Sequence, residues 1–112
     1  MEKKRKAKGV YEIMAKKLFC VFTCNEWKER TSFRLSGVYS SLTKLKAAIA
    51  SGIRNEVFLY NRTDATSAQA QEKQFKADWG KAIKAGDSVL SLLDNTTYLY
   101  VDVVRVNENP FV

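Results

Sequence analysis

Leu18-Phe19-Cys20-Val21-Phe22 is the longest uninterrupted apolar run in the chain, and with Thr23 it is apolar at odd and even positions alike. It is too short for an ordinary helix and reads as a β-strand. A strand without a polar parity is expected near the middle of a sheet, covered on both faces. The rest of the chain is read outward from this strand. Thr31-Ser32-Phe33-Arg34-Leu35-Ser36 alternates cleanly. That pattern predicts a half-buried strand, antiparallel to the first, with Phe33 and Leu35 on the inner face. Gly37 inside the same extended run marks a bulge or bend.

Ser41 is a good N-cap, and Leu42, Leu45 and Ile49 recur at helical spacing until Gly52, where the helix is expected to stop. Val57-Phe58-Leu59-Tyr60 predicts a short strand. Thr66 and Gln69 have capping-box spacing and open a longer helix to about Ala85, with Phe75, Trp79, Ala82 and Ile83 as its apolar stripe. Gly86 sits where a C′ glycine belongs, and Asp87 can cap a further helical turn through Leu90 and Leu93. Asn95-Thr96-Thr97 reads as a turn. Tyr98 to Val106, seven of whose nine residues are apolar or aromatic, is the strongest strand signal. The order β-β-α-β-α-β implies a single compact α+β domain over residues 18–112. It has two layers, with helices packed on a small mixed or antiparallel sheet.

Charge is distributed unevenly. Segment 1–17 holds seven basic residues against Glu2 and Glu12, a net +5, and leaves +2 for residues 18–112. The high isoelectric point therefore describes a nearly neutral domain wearing a basic arm. Residues 1–9 have too little apolar surface to order themselves. Val10, Ile13 and Met14 have the spacing of a short helical lead-in, and Met14 is an alternative start. No apolar run approaches the ~20 residues that span a bilayer, and no signal-peptide core follows the basic residues. A soluble, cytoplasmic protein without membrane partners is the expectation.

Chemistry narrows the function further. The chain has no histidine, so the commonest general base and metal ligand is missing. The five glycines are scattered singly and form no phosphate loop. Cys20 and Cys24 are too few for a disulfide framework, and two sulfurs fall short of a tetrahedral zinc site. Cys20 is expected to be a small core residue beside Phe19 and Val21. Glu26 and Glu29 sit among Lys28 and Arg30 as a solvated loop of mixed charge. The reading is non-enzymatic, with no catalytic, cofactor or metal-binding residues.

Two segments remain as binding candidates. Asn25, Glu26, Trp27 and Lys28 place one large ring in a charged β-β loop, where tryptophan either anchors a partner or folds back onto the sheet edge or a helix. Lys3, Lys4, Arg5, Lys6 and Lys8 could neutralise several phosphates, giving weak and unselective nucleic-acid binding. Phe19, Phe22, Phe33, Tyr98 and Tyr100 would add a stacking platform only on an exposed sheet face. The ordinary place of such rings is the core.

The run Lys17-Leu18-Phe19-Cys20-Val21-Phe22-Thr23-Cys24-Asn25-Glu26-Trp27-Lys28, followed by Ser32-Phe33-Arg34-Leu35-Ser36-Gly37-Val38-Tyr39, resembles small uncharacterised proteins of phages and prophages. Those proteins share a hydrophobic strand, a Cys-X-Glu-Trp-Lys loop and a Gly-Val-Tyr/Phe turn. The basic arm has no counterpart among them. The resemblance implies a mobile-element accessory protein inside a bacterium and brings no function of its own. Together with the small size and the lack of catalytic residues, it leads to the expectation of a non-enzymatic binding protein with a host protein as partner and inhibition of a host defence component as its action. An inhibitor that mimics DNA needs a dense acidic surface, and residues 18–112, at a net +2, do not offer one. The alternative function is nucleic-acid binding through the arm.

Overall fold

A computed structural model describes residues 16–106. The expectations for the basic arm and for Val10 to Met14 lie outside these residues. The first apolar run becomes β1 (Lys16–Thr23), which starts two residues inside the segment assigned to the arm. It is the central strand of a three-stranded antiparallel sheet, between β2 (Arg34–Tyr39) and β5 (Leu99–Val106). The central position matches expectation, but cover on both faces does not. Helices α1 (Leu42–Arg54) and α2 (Ala68–Ala85) pack on each other and on one face of the sheet. There Phe19, Val21 and Leu99 join Leu45, Ile49 and Phe75 in a single buried cluster. The result is a two-layer α+β fold whose sheet is open on the other side.

Phe33 and Leu35 are on that open side, contrary to the alternation of their strand. The cause is a one-residue slip. Val21 pairs with Gly37, but Phe22 pairs with Leu35, so Ser36 is left over as a bulge. Without it Leu35 would oppose Thr23 on the core face. Because side chains alternate with period two, one extra residue moves every side chain before it to the opposite face. The strand is also preceded by a short 3-10 helix, Arg30–Ser32, where strand was expected. A Cβ at Gly37 would meet the Tyr39 hydroxyl at 2.5 Å, so the tip of that ring would have to shift to admit it.

Ser41 caps α1 as read, its hydroxyl accepting from the Lys44 N–H at 3.2 Å. The helix does not stop at Gly52 but runs on to Arg54. Gly52 is instead the seat of the Phe58 ring, which occupies the space a Cβ would need. The N–H groups of Val57 and Phe58 both donate to the Gly52 carbonyl, at 2.7 and 3.2 Å, and fold the chain back. That turn shortens the expected strand to β3 (Leu59–Tyr60). Its partner is β4 (Thr96–Thr97), so the segment read as a turn is a strand of a second, two-stranded sheet.

Ser67, one residue beyond Thr66, caps α2 and accepts from the Ala70 N–H at 3.2 Å. Ile83 falls outside the buried stripe and is exposed. Gly86 ends the helix in the left-handed region at φ 76°, as its position implied. Ser88, not Asp87, caps the following 3-10 helix, Val89–Asn95. No helix among the described residues is long and apolar enough to cross a membrane.

Tyr60 ties the small sheet to α2. Its buried hydroxyl donates to Asp78 Oδ2 at 2.6 Å, and its N–H donates to Gln71 Oε1 at 3.0 Å. Burial, then the hydrogen bond and the Asp78 charge, push the phenol far above its ordinary value of 10.0. The folded state thus holds this proton more tightly than the unfolded chain does. The stabilisation is complete below the unfolded pKa and is lost as pH rises above it. Tyr60→Phe is expected to cost about 1–3 kcal/mol near neutral pH through loss of a bond to a charged acceptor. Its stability should then fall less steeply than that of the parent from about pH 9 to about pH 11. Thermal unfolding of both proteins across that range is the check, and parallel pH curves would contradict it.

Candidate binding loop and open sheet face

The loop between β1 and β2 is built by its own polar side chains. Asn25 Oδ1 accepts from the N–H groups of Trp27 and Glu29, each at 3.1 Å, and the Asn25 carbonyl accepts from the Lys28 N–H at 3.0 Å. Asn25 Nδ2 donates to Glu29 Oε1 at 2.8 Å. Ser32 Oγ closes the base, accepting from the Asn25 N–H at 3.0 Å and donating to the Glu29 carbonyl at 2.6 Å. An asparagine bonded to the N–H two residues ahead is the Asx-turn arrangement that this side chain favours. Lys28 takes the left-handed conformation at φ 53°, and its ammonium reaches the Leu93 carbonyl at 3.4 Å. The loop is thereby fastened to the 3-10 helix at the far end of the chain.

These bonds divide the four residues singled out from the sequence. Asn25 and Lys28 use their side chains to hold the loop. Glu26 and Trp27 are exposed, and Trp27 keeps 73% of its surface in solvent. The ring therefore does not fold back over the sheet edge. Asn25 and Lys28 are turned inward, and the backbone they fix points the indole out.

Cys24, at the root of the loop, is buried, and that burial pushes its thiol upward, against the opposing pull of Lys28. A thiol held protonated is a poor nucleophile. Cys24 is also the more buried of the two cysteines, both of them free, and not Cys20 as expected. Cys20 opposes Val38 and Asp102 on the open face.

The open face itself was missed in the sequence. Leu35 is 60% exposed and Val38 48% exposed, with Tyr100 and Val104 also at the surface. Of the five strand aromatics, Phe19 is in the core and Tyr98 packs against it. Phe22, Phe33 and Tyr100 are on the other side and touch one another. The ring centroids of Phe33 and Tyr100 are 4.7 Å apart, with Phe22 at 5.6 Å from Phe33 and 6.2 Å from Tyr100. No local signal marked the face, because a strand apolar on both parities reads the same whether one or both of its faces are covered.

Lys3, Lys4, Arg5, Lys6 and Lys8 lie outside the described residues. Among the described residues, no three histidine, cysteine, aspartate or glutamate side chains are grouped to hold a metal ion. No family model, curated protein or solved structure matches this chain.

Proposed function

We infer that this chain is a small non-enzymatic binding protein of phage or mobile-element origin that docks a bacterial host protein through the Trp27 loop. The carrying observation is an indole 73% exposed on a loop whose conformation is already set by internal hydrogen bonds. Large aromatics are the commonest interface anchors, and a preformed loop avoids much of the ordering entropy that binding otherwise costs. A lone exposed ring on a mobile loop would carry no such argument. The absence of histidine and the protonated state of the Cys24 thiol support a role without catalysis. The resemblance to phage and prophage proteins supports action in the host cytoplasm, with a host defence component as the target.

The test pairs binding with stability. Trp27→Ala is expected to leave folding stability within about 0.5 kcal/mol, as surface substitutions do. It should weaken binding to a partner recovered from the host by about 2 kcal/mol or more, roughly thirtyfold. Calorimetric titration of the isolated partner, alongside thermal unfolding, reads both. A large loss of melting temperature, or unchanged affinity, would return Trp27 to a packing or idle role.

A further inference from the structure

We propose that the groove between α1 and α2 docks an acidic segment of a partner protein that inserts one apolar side chain, a surface sharing no residue with the Trp27 loop. Charge is the first observation. Residues 16–106 hold fourteen basic side chains against nine acidic ones, and the two helices account for the whole excess. α1 has Lys44, Lys46 and Arg54 and no acid, while α2 has four lysines against Glu72 and Asp78. The strands and connections are balanced, seven against seven. Both helices lie on one face of the main sheet, so the net charge of residues 16–106 is on the helical side. A one-sided field of this kind favours an anionic partner there.

The groove gives that field a focus. Along the seam of the helices is a cavity of about 270 Å³, lined from α1 by Lys46, Ala47, Ala50 and Arg54 and from α2 by Glu72 and Lys76. Ala47, Ala50 and Arg54 recur at i, i+3 and i+7, one stripe of the helix. Two alanines in that stripe leave room that longer side chains would fill. Glu72 is largely buried, and its Oε2 meets Lys76 Nζ at 3.1 Å and Arg54 Nη1 at 3.8 Å. One carboxylate thus faces two half-exposed cations, and Lys46 adds a third to the same wall. The cavity is left two negative charges short of balance.

Size and lining select the occupant. The cavity falls below the roughly 300–1,000 Å³ of small-molecule sites, and it suits a single side chain. A phosphodiester strand would match the cations but leave the alanine floor uncovered. A glutamate-rich segment with one leucine-like side chain satisfies both, placing an apolar anchor in a pocket inside a ring of charge pairs.

The experiment is fluorescence anisotropy of the full chain at ~0.15 M salt, with a labelled peptide of about ten residues, all glutamate except one central leucine. Ala47→Phe fills the cavity without altering charge and is expected to weaken binding about tenfold or more. Lys46→Glu reverses one charge of the wall and should weaken it about fivefold or more. Ala47 is exposed and Lys46 only half-buried, so both variants should fold, which thermal unfolding checks. Lys84→Glu makes the same charge change about 12 Å farther along α2 than Lys76, beyond the ~8 Å screening length, and should cost less than about twofold. A peptide with a central alanine should bind about tenfold more weakly, and oligothymidylate of equal charge should not displace the leucine peptide. Failure of the full chain to bind that peptide, or parental affinity in either Ala47→Phe or Lys46→Glu, overturns the proposal. Equal losses in Lys84→Glu and Lys46→Glu, or equal binding of the alanine peptide, reduce the attraction to unspecific charge and overturn it as well. Displacement by oligothymidylate gives the groove to nucleic acid instead.

Discussion

Trp79→Ala is expected to remove about 3–5 kcal/mol of stability, a large part of the roughly 5–15 kcal/mol that holds an ordinary domain together. Trp79 is only 4% exposed and meets the Phe75 ring edge-on at 5.5 Å, while Phe75 in turn meets Tyr60 edge-on at 5.4 Å. These rings belong to the one buried cluster that α2 shares with the main sheet and with Tyr60 of the small β3-β4 sheet. The melting temperature should fall by on the order of 20 °C. Urea unfolding of Trp79→Ala beside Trp27→Ala tests the contrast within one residue type. A loss below about 1 kcal/mol for Trp79 would mean that the α2 stripe is not packed as described.

Gly52→Ala should destabilise the protein although alanine is the better helix former. In an open helix the change would gain up to about 1 kcal/mol. Here the new Cβ would overlap the Phe58 ring, which is buried and held by the turn bonded to the Gly52 carbonyl. Overpacking of this kind costs about 1–3 kcal/mol and outweighs the propensity gain, leaving a net loss expected near 1–2 kcal/mol. Combining Gly52→Ala with Phe58→Leu relieves the overlap. The double variant should then lose less than the two single losses added together. Strict additivity would show that the ring and the glycine do not share this space.

Gly52 illustrates how far sequence reading reaches. A glycine after a helical run is a stop signal on average, and Gly86, with its positive φ, behaves that way. Gly52 has no such φ and carries a different requirement, set by a phenylalanine six residues later that no local pattern connects to it. Thr66 and Ser67 show the milder case. Both can cap a helix, and the choice between adjacent candidates rests on how α2 packs. At the loop, Trp27 was identified from the sequence as either anchor or filler. The choice turned on the hydrogen bonds of Asn25 and Ser32, whose partners are four and seven residues along the chain.

Periodicity was enough for the α+β class, for the two amphipathic helices and for β1 at the centre of its sheet, because those features are repeated over many residues and survive any single exception. The side of the sheet on which Phe33, Leu35 and Tyr100 stand could not be reached this way. It depends on one unpaired residue, Ser36, and on both helices taking the same face, and both are settled by packing between segments far apart in the chain. Local pattern determines that a residue alternates. Only long-range contact determines which of the two faces is buried.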